Sequence, residues 1–126
     1  LMKATEDAEI TGGSVNIEHN MREAVQGADA INIYSWVSPE QYKTIKKTGK
    51  LDILPHVKNP EEYKKWIVTK DLVDLAKRDA VVMHCLPASR GEQVTDEVLD
   101  GPKSIIFDEA ENRLHVQKAL LSLLIK

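Results

Sequence analysis

The run Ala80 to Cys85, apolar except for His84 and closed by Leu86 and Pro87, constrains the fold more than any other stretch. A continuous apolar run of this length reads as a strand covered on both faces, the usual state of a strand in a parallel sheet. Ala30 to Tyr34 and Ser104 to Phe107 read as further strands, and Ile67-Val68 as a short connecting one. Helical start signals lie between and after them. Ser38-Pro39-Glu40-Gln41 carries a cap, a proline at the first helical position and a capping-box glutamine, which predicts a helix to about Thr48. Asn59-Pro60-Glu61-Glu62 repeats the signal for a short helix ending near Trp66. Thr69 caps a helix over Lys70 to Lys77, Thr95 to Leu99 is one helical turn, and Asn112 to Ile125 is the last helix. Strands alternating with helices give an α/β fold, a mainly parallel sheet with flanking helices of the Rossmann-like kind and right-handed crossovers. Such sheets bind ligands beyond the carboxyl ends of their strands, so the segments after Tyr34 and Cys85 are where chemistry is expected.

The first residues read differently. Leu1 to Gly13 looks like the tail of a helix with no cap before it, stopped by Gly12-Gly13, so the chain is expected to be part of a longer protein. Val15 to His19 alternates as a half-buried strand does, and Asn20 with Glu23 forms a capping box for a helix over Met21 to Gln26, ended by Gly27.

Composition removes several function classes. A chain of 126 residues makes one compact domain, and 17 basic against 20 acidic residues, net charge -3, with no basic cluster interleaved with aromatics, argues against nucleic acid. The longest apolar run, Ala119 to Ile125, is broken by Ser122 and far shorter than the roughly 20 residues of a membrane span. A lone cysteine makes no internal disulfide and suits a reducing, cytoplasmic setting. His19, His56 and His115 have no metal-ligand spacing, and neither a metal nor a cofactor is expected. Lys43, Lys46, Lys47 and Lys50 read as a solvated helix face.

Three blocks carry the specific signal. His84-Cys85-Leu86-Pro87 is followed by Arg90-Gly91-Glu92, Val94-Thr95-Asp96 and Val98, and then by the run from Asp108 through Arg113 and His115 to Ala119. In order and spacing they resemble the C-terminal segment of an ornithine-type carbamoyltransferase, a member of the aspartate/ornithine carbamoyltransferase superfamily. Several matched blocks are far more specific than one short motif. The resemblance is strong from about Asp79 to Leu121 and weaker from about Gly12 to Ser38. It implies that residues 1–126 are a partial C-terminal, ornithine or amino-acid-binding domain, without the N-terminal carbamoyl-phosphate domain and its Ser-Thr-Arg-Thr-Arg loop. The complete protein is then expected to be a cytoplasmic homotrimeric transferase of arginine biosynthesis, joining carbamoyl phosphate to an amino-acid amine to give citrulline or a derivative. The present stretch alone is expected to be inactive.

The residues divide by role. Carbamoyl transfer needs positive charge or donors where the carbonyl oxygen becomes negative. Arg113, a permanent planar cation expected in the first turn of the last helix, fits that need, and the resemblance implies that it contacts carbamoyl phosphate. The plain alternative is an exposed arginine paired with Glu109 or Glu111. Pro87 breaks pairing at the strand end and frees the carbonyls of Cys85 and Leu86, which by resemblance contact the carbamoyl group and the incoming amine. Strand alternation sends the side chains of His84 and Cys85 to opposite faces, so a direct dyad is awkward. By resemblance His84, with Glu92 as a relay, tunes the surroundings of Cys85; the alternative is a core histidine.

The acceptor side departs from the family pattern. Trp36-Val37-Ser38 matches the family's Asp-Val-Trp-Val-Ser-Met segment, but Tyr34 stands where that pattern has the aspartate that grips the α-ammonium of ornithine. A neutral phenol is a weaker partner for an ammonium than a carboxylate is. Tyr34-Ser35-Trp36 with Gly12-Gly13-Ser14 is closer to relatives acting on N-acylated ornithine, whereas Ala88 to Glu92 matches the ornithine and putrescine types. Ser38 is explained either as a helix cap or as a substrate contact. A different class stays open, a non-catalytic amino-acid-binding or interaction module retaining this fold.

Overall fold

Alternate apolar residues in two short segments build the centre of the molecule. In the computed structural model, which describes residues 2–34, 43, 47 and 64–125, strands β1 (Ala30–Ile33) and β2 (Val81–His84) pair in parallel. Their register sets Ile31 opposite Val82 and Ile33 opposite His84, so all four buried positions fall on one face. Helices α1 (Met2–Thr11) and α2 (Met21–Val25) precede β1; α3 (Lys70–Val73) precedes β2; α4 (Asp96–Leu99) and α5 (Ile106–Leu124) follow it.

The buried face meets Val25 of α2, Leu72 and Val73 of α3, Val98 and Leu99 of α4, and Ile106 of α5, with Val68 and Val94 between them. Val82, Val94 and Ile106 expose nothing, which puts the centre of the core directly under β2. Fully burying side chains of this size stabilises by about 1.5–3 kcal/mol each, so this cluster holds the strand ends in place. The connecting segment is tied in by a parallel bridge between Val68 and Val94.

The local signals mostly behave as read. Asn20 caps α2 by accepting from the backbone N–H of Arg22, and its side-chain amide donates to Glu23. The N–H of Gly12 reaches the carbonyl of Glu9 and that of Gly13 the carbonyl of Ala8, the paired bonds of a Schellman end, with Gly12 at φ 76°. Lys43 and Lys47 are helical and exposed; the rest of the helix expected from Ser38, and the start signal at Asn59-Pro60, lie outside the described residues. Of that second helix, Lys64–Trp66 is a 3-10 turn.

Four expectations are corrected. Val15 to His19 forms no strand: Val15 and Ile17 are exposed, and no described strand pairs with them. The sheet is buried on one face only, since Val81 and Met83 are half-buried and Asn32 is exposed. The helix expected over Lys70 to Lys77 is α-helical only to Val73 and continues as turns. Finally, Ser104 to Phe107 is not a strand. Ser104 makes one parallel bridge to Val82, and the chain then enters α5 at Ile106, well before Asn112. Asp108 and Glu109 in the first turn favour that early start, because negative charge complements the helix N-terminus.

Candidate active site

Tyr34 and Cys85 leave the paired ends of β1 and β2, so both stand at the carboxyl edge of the sheet. The alternation holds through the last pair: His84 is 1% exposed, while Cys85 and Leu86 lie outside the core. Leu86 sits at φ 50° and the Leu86-Pro87 peptide is cis. A left-handed leucine costs roughly 1–3 kcal/mol and persists only where its surroundings fix it.

The imidazole of His84 supplies part of that fixing. The backbone N–H of Leu86 donates to Nδ1 of His84 at 2.8 Å, so Nδ1 carries no proton. Nε2 therefore carries it and donates to Oε1 of Gln93, 3.0 Å away, an oxygen that also accepts from the N–H of Ser89 at 3.1 Å. Gln93 is itself buried. The ring thus spans from the start of the loop to its far side, and both nitrogens are occupied. Neither nitrogen is bonded to Cys85, which is exposed.

A second fastening lies outside. Arg90 forks onto Asp100 with bonds of 2.6 and 2.9 Å and adds a third to Asp96 at 2.7 Å, tying the loop to both ends of α4. The two carboxylates raise the Arg90 pKa, and the guanidinium holds Asp100 below its ordinary value. Gly91, at φ 74°, makes the turn that returns its N–H to the carbonyl of Val94.

Arg113 lies within α5 rather than in its first turn, so its own N–H is not one of the free amides of a helix start. Its two expected partners are engaged elsewhere. Glu109 accepts the backbone N–H of His84 at 3.0 Å, and Glu111 faces His115 at 3.4 Å. Among the described residues no ion pair holds Arg113, and its side chain is exposed.

The structure brings His84, Cys85, Leu86 and Tyr34 to one edge, with Arg113 on the helix whose first turn touches that edge. Glu92 is half-buried, but the residue that meets His84 is its neighbour Gln93. Trp36 and Ser38 lie outside the described residues. Sequence reading missed Gln93, and it offered Glu109 only as a partner for Arg113. Each sits inside a matched block, but neither periodicity nor residue type says which acceptor in a polar run turns inward. Beside Tyr34 a cavity of about 390 Å³ is lined, among the described residues, by Met21, Ile31, Asn32, Ile33, Trp66 and Val68, none of them a carboxylate.

Residues 1–124 match the family description "Aspartate/ornithine carbamoyltransferase, Asp/Orn binding domain". The chain belongs to this family. The ornithine carbamoyltransferase of Pyrococcus horikoshii is 43% identical over 122 residues, covering 97% of this chain and 35% of that protein. Among solved structures, the ornithine carbamoyltransferase of Pyrococcus furiosus superposes with a TM-score of 0.73 at 41% identity, covering 95% of this chain and 35% of that one. A variant of N-acetyl-L-ornithine transcarbamylase, complexed with carbamyl phosphate and N-succinyl-L-norvaline, superposes with a TM-score of 0.77 at 34% identity, covering 97% and 34%. This carbamoyltransferase domain therefore spans about a third of the length of the relatives that it matches.

Proposed function

We propose that the domain is the acceptor-binding half of a carbamoyltransferase, and that the complete polypeptide moves the carbamoyl group from carbamoyl phosphate to the side-chain amine of an ornithine-type acceptor. The observation that carries this reading is an exposed arginine, Arg113, held by no ion pair among the described residues, on the helix whose first turn is bonded to the strand end that leads into the fixed loop at Cys85 and Leu86. In the reaction the neutral amine attacks the carbonyl carbon, a C–N bond forms, the C–O bond to phosphate breaks with its electron pair leaving on phosphate, and the proton given up by the nitrogen is taken up by that phosphate. The carbonyls of Cys85 and Leu86 hold the amine and the carbamoyl nitrogen, while Arg113 faces the oxygen that gains charge. His84 acts here as a positioning residue for the loop, not as a proton carrier. Glu92 and Ser38 remain assigned by resemblance, Glu92 to the surroundings of Cys85 and Ser38, with Trp36, to the acceptor.

The acceptor we favour is an N-acylated ornithine. Tyr34 offers a phenol at the position facing the α-nitrogen, and the cavity beside it has no carboxylate among its described lining residues. An acyl group removes the α-ammonium charge, so no counterion is needed there. The 34% identical N-acetyl-L-ornithine transcarbamylase supports this choice, and the higher identity to ornithine carbamoyltransferases favours free ornithine. We also assign a separate carbamoyl-phosphate domain, a homotrimer and a cytoplasmic setting, as the family resemblance implies.

The test is phosphate release from carbamoyl phosphate by the complete polypeptide, with ornithine, N-acetylornithine, N-succinylornithine and putrescine in parallel. Release with an N-acylated acceptor alone is the expected result. Release with free ornithine alone overturns the acceptor assignment, and no release with any of them favours a non-catalytic amino-acid-binding module.

A further inference from the structure

We propose that Glu109 is a positioning residue that sets Arg113 against the end of β2, an inference that rests on the carbamoyl-transfer reading. The ladder itself points to it. Val82 donates its N–H to the carbonyl of Lys103 and accepts from the N–H of Ile105, so the next N–H on that side of β2, that of His84, would meet the carbonyl of Ile105 in an uninterrupted parallel pair. That carbonyl is already taken. It accepts the first helical bond of α5, from the N–H of Glu109 at 2.9 Å, and the Glu109 carboxylate takes the His84 N–H instead, at 3.0 Å. One residue thus closes the helix start with its backbone and the strand end with its side chain.

Two consequences reach Arg113. Positions 109 and 113 are four apart in α5 and share a face, so the tie fixes the height of Arg113 relative to Cys85, the residue after His84. The tie also occupies the carboxylate that is best spaced to pair with Arg113 along the helix. The guanidinium consequently remains uncompensated and available to an anionic substrate. Remove the tie, and the start of α5 is held to β2 only by the bond from the Ile105 N–H to the carbonyl of Val82, two residues short of the strand end.

The experiment compares Glu109→Ala and Glu109→Gln in the complete polypeptide by steady-state kinetics in both substrates, with amide exchange at His84 as a second readout. Glu109→Ala is expected to lower kcat/KM for carbamoyl phosphate by on the order of 100-fold, the scale of a reactive group misplaced by about 1 Å, while KM for the acceptor stays close to wild type. It should also speed exchange of the His84 N–H. Glu109→Gln keeps an acceptor oxygen and is expected to restore most of both. A purely structural role lowers the active fraction and leaves both KM values unchanged, which overturns the proposal. So does a Gln variant as impaired as the Ala variant. Absence of phosphate release by the wild-type polypeptide with every acceptor removes the transfer reading and this role together; an active wild type with an unaffected Glu109→Ala removes this role alone.

Discussion

Oε1 of Gln93 accepts from both Nε2 of His84, at 3.0 Å, and the N–H of Ser89, at 3.1 Å. One buried amide oxygen therefore joins the strand end to the loop after it. The shape of that loop, with Leu86 left-handed, depends on a buried glutamine.

Gln93→Leu leaves two donors without acceptors, one of them on a buried ring. Each unsatisfied donor costs about 1–3 kcal/mol, so the variant should be less stable to urea by roughly 2–6 kcal/mol. A shift under about 0.5 kcal/mol, the scale of ordinary surface substitutions, would show that the network does not hold the loop.

Ile106→Ala removes a fully buried side chain from under β2, whereas Leu123→Ala trims a residue that is 75% exposed. The first should destabilise the domain by about 2–5 kcal/mol and the second by under about 0.5 kcal/mol. Thermal or urea unfolding of the 126-residue chain compares the two directly.

Gly101→Ala meets backbone rather than space. A Cβ there would lie 2.5 Å from the carbonyl oxygen of Glu97, which is fixed within α4. The helix end must shift, at a cost of about 1–3 kcal/mol, measurable as a lower unfolding midpoint.

Acid should loosen the outer fastening. Arg90 lowers the folded-state pKa of Asp100 beneath its ordinary value, so the stabilisation is complete above the unfolded-state value and is lost as pH falls through the lower folded one. Asp100→Asn should therefore be less stable than wild type near neutrality and should converge with it in acid, once the pH has fallen through the lowered folded-state pKa. Parallel curves across the whole range would mean that the fork contributes nothing.

Arg113→Ala in the complete polypeptide should lower turnover by about 100-fold or more, the usual scale for one lost transition-state donor. Near-normal turnover would remove Arg113 from the chemistry. Tyr34→Asp should improve use of free ornithine, measured as kcat/KM against N-acetylornithine.

The sequence by itself determined what depends on neighbours along the chain. Asn20 and Gly12 cap and stop helices through residues within a few positions, and the short apolar run from Ala80 to Cys85 holds the strand Val81–His84. The matched blocks also named the residues at the sheet edge, since spacing along a chain survives in a motif. Tertiary structure decided what depends on distant partners. Val15 to His19 alternates correctly, yet no described strand pairs with it, and a strand needs a partner for its backbone. Ser104 to Phe107 is apolar enough for a strand, but Ile105 closes a helix start instead, and this exchange of one carbonyl makes Glu109 a bridge. The roles of Gln93 and Glu109 follow from hydrogen bonds spanning 9 and 25 residues, for which local pattern holds no information.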